Sequence, residues 1–242
     1  MPEMDRIKRN VEELLIEEFG IKPDVRVFAF GGGAGRVASY IYRKGIEGAK
    51  IIAINADERG LESVEVDKKM LLGKDVLGEH EDTNGEMKVA EYIINRSRAW
   101  ILEEAKNADV VILLASLGGG MGSGGLLETL RILKEQTNKI VITIAILPLS
   151  IEKERRERAM NIKEKIESYS TKSIFVDSDI ILSYPKIPVT RAYEILYDEI
   201  YNFIARITNI TRIEIEKKFR EIYLKDMDAI VEEAYRDILI AA

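Results

Sequence analysis

The amino-acid sequence predicts an α/β protein with a doubly wound parallel sheet. Short apolar stretches alternate along the chain with stretches of helical periodicity, and two of the apolar stretches run directly into clusters of glycine. Alternating strands and helices are typical of a parallel sheet that helices cover on both faces. The stretches IIAI, VVILL and IVITIAI are apolar throughout, as expected for strands that are buried on both faces of the sheet.

Five strands and several helices are expected from these patterns. The predicted strands are 25–30, 50–54, 109–115, 139–147 and 173–176. Apolar residues at spacings of three and four predict helices at 4–19, 36–44, 86–107, 126–137, 152–169, 189–207 and, as one or two elements, within 214–239. A polar, irregular loop is expected between Gly73 and Gly85.

The predicted elements divide the chain into three parts. An N-terminal helix is expected in 1–23, the doubly wound domain in 24–187, and a central helix with a helical tail in 188–242. The N-terminal and C-terminal helices each carry an apolar stripe at helical spacing. Packing within the chain is the preferred interpretation of these stripes, and a surface for a partner or a second copy is the alternative.

Composition excludes several classes of function. The 242-residue chain is 46% hydrophobic and 32% charged, and its net charge of −6 makes nucleic-acid binding a poor hypothesis. It has no cysteine and one histidine, His80, so disulfides, thiolate sites and histidine metal sites are not expected. The polar start and the absence of a long apolar run predict a cytoplasmic protein without a membrane span. The abundance of Glu, Lys, Arg and Ile favours a thermophilic source.

Two glycine clusters, Gly31–Gly35 and Gly118–Gly125, each follow a predicted strand and precede a predicted helix. The first turn of a helix carries unpaired N–H groups and partial positive charge, and glycine lets an anion approach the backbone closely. Two such turns on neighbouring strands predict a site for a di- or triphosphate. The alternative for either cluster is a tight turn that allows close helix packing.

Other phosphate-binding motifs fit the sequence less well. No GxxxxGK[ST] pattern is present, so a P-loop is excluded. Gly31, Gly33 and Asp57 partly satisfy the dinucleotide fingerprint, but Arg36 stands where its last glycine belongs. A dinucleotide enzyme therefore remains an alternative, although it leaves the second glycine cluster unexplained.

Three stretches resemble the tubulin/FtsZ superfamily over roughly residues 24–215. FGGGAGRVASYIYRKGIEGAKIIAINAD is similar to the first glycine loop, helix and second strand of FtsZ, GGGMGSGG to the signature GGGTG[ST]G, and LPLSIEKERRERAMNIKEKIES to the segment with the pattern PFxFEGxxR. The resemblance implies a Rossmann-like GTPase domain in 24–187 that binds GTP or GDP. It also implies head-to-tail assembly, with acidic residues of the next subunit completing the hydrolytic site.

By position, the resemblance assigns a set of nucleotide-binding residues. They are Gly32, Gly33, Gly35, Arg36, Asn55, Asp57, Gly118, Gly119, Gly120, Met121, Gly122, Ser123, Glu152, Arg156, Ser178 and Tyr193. Glu152 matches the ribose-contacting glutamate, and Arg156 matches the arginine beside the base and sugar. Ser178 falls at the position of the guanine-reading asparagine, where Asp177 and Asp179 are neighbouring carboxylates.

Other positions depart from the family pattern. Arg36 replaces an asparagine and could contact a phosphate or solvent, and Met121 replaces a threonine. Tyr193 falls at the Asp/Asn position of the central helix, where it could stack on a base or pack on the sheet.

The catalytic acids and the metal site are less well defined. Glu214 or Glu216 could take the role of a catalytic aspartate, and the alternative is that both are first-turn glutamates of a helix. Asp75, Glu81 and Asp82 could meet a Mg²⁺ ion, but a solvated acidic loop is the preferred interpretation, and no metal ligands are assigned.

The expected function is nucleotide binding with weak or assembly-dependent GTP hydrolysis, in a cytoskeletal or cell-division role. Self-association or an FtsZ-like partner is expected. The alternative is a non-catalytic scaffold or regulator that binds another cytoskeletal protein.

Overall fold

The computed structural model describes residues 22–78, 80, 82–219 and 221. The predicted N-terminal helix and the part of the predicted tail beyond residue 221 lie outside these residues. The chain forms two units: Asp24–Arg206 is one, and the stretch from Ile207 onward belongs to the other. Among the described residues, no helix is both long and apolar enough to cross a membrane.

The described residues form strands and helices in alternation. The strands are β1 (Val25–Phe30), β2 (Ala49–Asn55), β3 (Lys68–Leu71), β4 (Val110–Ser116), β5 (Ile140–Leu147) and β6 (Lys172–Asp177). The α-helices are α1 (Gly31–Lys44), α2 (Glu58–Glu62), α3 (Lys74–Leu77), α4 (Met87–Arg96), α5 (Arg98–Ala105), α6 (Leu126–Gln136), α7 (Lys153–Met160), α8 (Lys163–Tyr169) and α9 (Val189–Phe219). A π-helical turn at Gly120–Gly125 precedes α6, and a 3-10 helix at Ser178–Ser183 follows β6.

The six strands form one parallel sheet in the order β3-β2-β1-β4-β5-β6. The predicted doubly wound fold is therefore confirmed. β1 and β4 are neighbours, and Phe30 at the end of β1 pairs with Ala115 near the end of β4. The direction in which strands are added reverses between these two strands, which leaves a crevice at their carboxyl ends.

Helices bury both faces of the sheet. Alternate residues of the central strands, including Phe28 and Leu113, belong to a core cluster with residues of the helices α4 to α8. On the opposite face Val27 and Ala29 are fully buried, as are Ala34 and Ala38 of α1. Because neighbouring residues of a strand point to opposite faces, β1 and β4 are apolar except at Arg26 and Ser116.

Helix α9 is held against α1 within the first unit. The hydroxyl of Tyr40 donates to Asp198 Oδ1 at 2.7 Å, and Lys44 Nζ lies 2.6 Å from the same oxygen. Four residues of α9 that recur every fourth position are buried: Ala192, Leu196, Ile200 and Ile204. This stripe and the ion pair fix the first part of α9 beside α1.

The sequence-based predictions missed four short elements and misplaced several boundaries. α2, β3 and the 3-10 helix were not expected, and α3 lies inside the predicted loop. The predicted helix 86–107 is interrupted at Ser97, and the predicted helix 152–169 is interrupted between Met160 and Lys163. α1 begins at Gly31 rather than at residue 36, so the first glycine cluster is itself helical.

The predicted break in the last helices is also wrong. α9 runs without interruption through 207–214, where the sequence contains no glycine or proline. The hydroxyl of Thr211 donates to the carbonyl oxygen of Ile207 at 2.9 Å, which satisfies this polar side chain within the helix.

Glu128 is a nearly buried carboxylate between α4 and α6. Its Oε1 accepts a hydrogen bond from Asn95 Nδ2 at 2.6 Å, and the Arg131 guanidinium donates to Oε1 and Oε2 at 2.5 and 2.9 Å. Burial alone would raise the pKa of Glu128, but the bonds from Arg131 and Asn95 outweigh it, so the pKa is lowered. The folded state therefore favours the ionised form.

We expect Glu128→Gln to lower the free energy of unfolding at pH 7 by about 1–3 kcal/mol, because the ionised partner of Arg131 is lost. A lowered folded-state pKa stabilises the protein above the unfolded value, and this contribution is lost as pH falls through the folded pKa. The difference between wild type and variant should therefore shrink below about pH 4.5. Urea unfolding from pH 7 to pH 3 would measure it.

Glu135→Gln is the matched control, because Glu135 also pairs with Arg131, at 2.7 Å, but is exposed. Its effect should be smaller at every pH. A Glu128→Gln difference that stays constant from pH 7 to pH 3 would contradict the assignment.

Candidate functional site

A cavity of about 380 Å³ opens at the carboxyl ends of the central strands. Phe30 of β1, Asn55 of β2, Ser116 of β4 and Ile146 of β5 all contribute to its lining. Its volume is within the range of cavities that hold small-molecule ligands. The cavity occupies the crevice that the sheet order predicts.

Two helix starts lie at this cavity. α1 begins at Gly31, which has a φ of +79°, and the π-helical turn begins at Gly120. Within the part of the chain that the structure describes, no side chain caps either start, and neither first turn contains an acidic residue. A Cβ on Gly31 would lie 3.3 Å from the amide nitrogen of Gly122, so the two loops are in close contact. Their partial positive charges therefore act on the same space.

The glycines of the two clusters serve two different purposes. A Cβ on Gly120 would collide with Thr83, one on Gly122 with the carbonyl oxygen of Ser116, and one on Gly124 with the backbone of Met87. These three glycines are required by the packing of the protein itself. Gly32 and Gly119 line the cavity, and a Cβ on either would have no neighbour within 4 Å. Close approach of an anion, which the sequence interpretation assigned to both clusters, is therefore supported at Gly32 and Gly119 by open space, whereas packing requires Gly120, Gly122 and Gly124.

Three predicted polar residues line the cavity from strand ends. Asn55 Oδ1 accepts the N–H of Ala56 at 2.9 Å. Asp57 accepts the N–H of Gly60 at 3.0 Å and so caps α2, a role that the sequence interpretation did not include. Ser178 is buried at the start of the 3-10 helix.

The structure separates the two neighbouring arginines of α7. Arg156, the predicted residue, donates to both oxygens of Asp177 at 2.7 and 2.5 Å and to the carbonyl oxygen of Pro148 at 2.6 Å. It does not belong to the cavity lining, and its guanidinium lowers the pKa of Asp177. Arg155 lines the cavity instead, paired with Glu152. The carboxylate of Glu152 therefore has a cationic partner within the cavity wall.

Three further predicted residues of the two glycine clusters do not line the cavity but make packing or hydrogen-bond contacts. Gly35 faces Val64, since a Cβ there would lie 3.2 Å from its Cγ1. Gly118 has a φ of +88° and backs onto Arg155. Ser123 is fully buried, and its Oγ accepts the N–H of Gly118 at 2.8 Å. The remaining predicted residues all line the cavity: Gly33, Arg36, Met121 and Tyr193.

One wall of the cavity, here called the tyrosine wall, consists of Arg36, Val37, Tyr193, Leu196 and Tyr197. The rings of Tyr193 and Tyr197 are 6.1 Å apart. Burial raises the pKa of Tyr197, and the positive charge of the nearby Arg36 guanidinium opposes this shift. The sequence interpretation included Arg36 and Tyr193 but missed Tyr197, although its i,i+4 spacing from Tyr193 places it on the same helix face.

The candidate catalytic acids belong to the second unit. Glu214 is exposed, and Glu216 is half-buried with a carboxylate oxygen 3.9 Å from Arg212. Both lie within the continuous helix α9, so the alternative that they occupy the first turn of a new helix is wrong.

The acidic residues proposed for a metal are dispersed. Asp82 lines the cavity, Asp75 pairs with Arg96 at 2.8 Å, and Glu81 lies outside the described residues. Within the described ranges, no three acidic or histidine side chains come together as a metal site.

Comparison with known proteins places this geometry in context. Residues 6–184 match the model of the tubulin/FtsZ family, GTPase domain. Cell division protein FtsZ 2 of Halobacterium salinarum is 30% identical over 184 residues, which cover 74% of this chain and 45% of that protein. FtsZ of Methanothermobacter thermautotrophicus is 30% identical over 200 residues, covering 82% and 50%. The chain thus spans about half the length of the curated relatives it matches.

Solved structures share the fold. The empty FtsZ dimer of M. jannaschii superposes with a TM-score of 0.73 at 25% identity, covering 84% of this chain and 59% of that one. The GTPγS-bound protofilament of CetZ2 from Haloferax volcanii has a TM-score of 0.64 at 20% identity, covering 86% and 62%. At that identity the second likeness concerns the fold alone.

Alanine should affect stability differently at a glycine that packing requires and at a glycine that borders open cavity space. Gly122→Ala should lower the free energy of unfolding by about 1–3 kcal/mol, because its Cβ overlaps the Ser116 carbonyl. Gly119→Ala should leave stability unchanged or raise it by up to about 1 kcal/mol, since its φ of −102° suits alanine and its Cβ has free space. Thermal unfolding of both variants without added ligand would measure this. Equal destabilisation would show that Gly119 is also fixed by packing.

Proposed function

The chain belongs to the tubulin/FtsZ family, a family of cytoskeletal and cell-division GTPases, and we propose that it binds GTP or GDP in the cavity at the carboxyl ends of β1 and β4. One observation carries the proposal: two uncapped, glycine-rich helix starts lie at one cavity, each without an acidic residue in its first turn. This arrangement provides backbone N–H groups and partial positive charge for the phosphates from two sides.

The phosphates are proposed to bind between the two loops. Gly32 and Gly119 leave the backbone accessible from the cavity, and Gly120, Gly122 and Gly124 allow the π-helical turn to lie close to its neighbours. A π-helical turn is rare in proteins and frequently marks a functional site.

The sugar is proposed to bind beside Glu152 and Asn55. Both residues line the cavity and carry oxygens that can accept hydrogen bonds from ribose hydroxyls. Arg155 fixes the carboxylate of Glu152, and we assign to Arg155 the position beside the nucleotide that the sequence interpretation gave to Arg156.

Mg²⁺ is proposed to bind with the triphosphate. Mg²⁺ is usually held by one or two carboxylates together with substrate phosphates and water. Asp82 lines the cavity and is the carboxylate that would hold the ion. The ion would neutralise phosphate charge when bound.

Hydrolysis is proposed to depend on assembly. Glu214 and Glu216 would act on the nucleotide of a neighbouring copy, where a carboxylate can orient the attacking water. The rate per molecule would then rise with protein concentration. A cytoplasmic location and a cytoskeletal role belong to the same proposal.

A non-catalytic scaffold is the second candidate function. Met121 lines the cavity in place of a hydroxyl-bearing residue, and Arg156 is committed to Asp177. Both observations favour a site that holds a nucleotide, or none, without turnover. In this case the protein would act by binding another cytoskeletal protein.

The binding proposal predicts that purified protein releases guanine nucleotide on denaturation and that Gly119→Val releases little. The valine side chain would occupy open cavity space, and its extended backbone conformation (φ −102°, ψ 168°) suits a β-branched residue. Ion-pair chromatography of the released material, with calorimetric titration of GTP, would measure the loss, expected to be at least about tenfold.

Ala99→Val is the matched control, because Ala99 is exposed on α5 and does not line the cavity. It should bind GTP as wild type does. Wild-type protein that releases no nucleotide and takes up no added GTP would favour the scaffold function.

The hydrolysis proposal predicts that Glu214→Gln combined with Glu216→Gln lowers GTP turnover at least about tenfold and leaves GTP affinity unchanged. Phosphate release measured over a range of protein concentrations would test both statements. Glu199→Gln, an exposed position on the same helix, is the control and should retain full turnover. A wild-type rate per molecule that is independent of concentration would contradict the requirement for a neighbour.

A further inference from the structure

The tyrosine wall has the properties of a purine-binding surface. Tyr193 and Tyr197 present rings 6.1 Å apart and tilted by 39°, and Val37 and Leu196 add aliphatic surface. The ring of Tyr197 also contacts that of Tyr40, with centroids 5.7 Å apart, so the wall is continuous with the α1–α9 contact. Aromatic and aliphatic side chains of this kind bind the faces of bases.

The position of Arg36 along α1 places it beyond the phosphate loops. Gly31 begins the helix and touches the π-helical turn, and Arg36 follows five residues later. At 1.5 Å per residue this is about 7.5 Å along the helix axis. Phosphates at the glycine loops therefore leave the sugar and base for the space beside Arg36 and the tyrosine wall.

The two carboxylates beside Ser178 are hydrogen-bonded to groups outside the cavity. Asp177 is bound by Arg156, and Asp179 Oδ1 accepts the N–H of Ser150 at 2.8 Å. Neither aspartate belongs to the cavity lining. The carboxylate that could accept from N1–H and the N2 amine of guanine is thus not supplied by these residues, and base recognition needs another source.

The chemistry of Arg36 supplies such a source. A guanidinium group has five N–H donors in a planar fork and no acceptor. Guanine presents two adjacent acceptors, O6 and N7, whereas adenine presents N7 beside the N6 amine, which is a donor. Only the guanine edge matches both arms of the fork.

We propose that Arg36 selects guanine by donating to O6 and N7 of the base while the base lies against the tyrosine wall. The inference rests on the proposed binding of a guanine nucleotide. Arg36 and Tyr197 both line the cavity, so the guanidinium N–H groups are available to a base that lies on the same wall. Arg36 is therefore a specificity-determining residue.

Base analogues distinguish this contact from recognition through N1 and N2. Inosine triphosphate keeps O6 and N7 but lacks the N2 amine, so it should bind the wild-type protein within about threefold of GTP. 7-Deaza-GTP lacks the N7 acceptor and should bind about fivefold more weakly, and ATP at least about tenfold more weakly. Calorimetric titration of the four nucleotides would measure these ratios.

A variant without a donor at position 36, Arg36→Met, completes the test. It should weaken GTP binding at least about tenfold and remove the difference between GTP and 7-deaza-GTP, because methionine has no hydrogen-bond donor for N7. Arg36 is exposed in the folded protein, and thermal unfolding would verify that the variant folds. Arg43→Met, on the same helix in an exposed pair with Glu65 at 3.5 Å, is the control and should keep all four affinities.

Each other result overturns the inference. Equal losses for GTP and ATP in Arg36→Met would assign the guanidinium to a phosphate, and unchanged affinities would assign it to solvent. Weak binding of inosine triphosphate with full binding of 7-deaza-GTP would assign recognition to N1 and N2. Wild-type protein that binds none of the four nucleotides would overturn the proposed function together with the inference, whereas GTP binding without these ratios would overturn the inference alone.

Discussion

The adjacency of β1 and β4 is the constraint on which the rest of the molecule depends. Both strands are buried on both faces, and both end at the same edge of the sheet. The strands added beside β1 lead to β3, and those added beside β4 lead to β6. The chain that leaves β1 forms α1 against one face, and the chain that leaves β4 forms α6 in the core of the other. The crevice between them is therefore a consequence of topology, before any polar side chain is considered.

The start of α1 and the π-helical turn lie close together at the crevice because their glycines are in contact. Gly31 approaches the backbone of Gly122, and Gly122 in turn lies against the carbonyl of Ser116. Any side chain at Gly122 would push the start of α1 away from the π-helical turn and move the N–H groups of these two segments apart. Folding costs more conformational entropy at glycine than at other residues. The many glycines here therefore indicate that the close approach of the two backbones is worth more than this loss of entropy. Gly122 thus contributes both to stability and to the spacing of the two helix starts, whereas Gly119 borders open cavity space.

Sequence patterns predicted what depends on periodicity and missed what depends on long-range contacts. The central strands and both glycine clusters were predicted because they are apolar or glycine-rich over several residues. β3, with the sequence KKML, is a half-exposed edge strand and carries no such pattern. Sequence patterns could not show which of Arg155 and Arg156 lines the cavity. Neighbouring helical residues point about 100° apart, and the partner that binds Arg156, Asp177, is 21 residues away. Tyr197 could have been predicted as a cavity residue, because it lies four residues after Tyr193 and therefore on the same face of the helix.

The distribution of charge around the cavity explains how an anion could bind beside three carboxylates. Asp57, Asp82 and Glu152 all line the cavity and would repel phosphate if they were directed at it. Asp57 is turned to the start of α2, where it caps Gly60, and Glu152 is bound by Arg155. Asp82 accepts the N–H of Asn84 at 2.6 Å and retains an oxygen for a cation. The donors that remain along the cavity lining include the N–H groups at the two helix starts and the guanidinium of Arg36. A cavity with this polarity suits acceptor-rich groups, and both the phosphates and the O6–N7 edge of the proposed guanine nucleotide are of this kind.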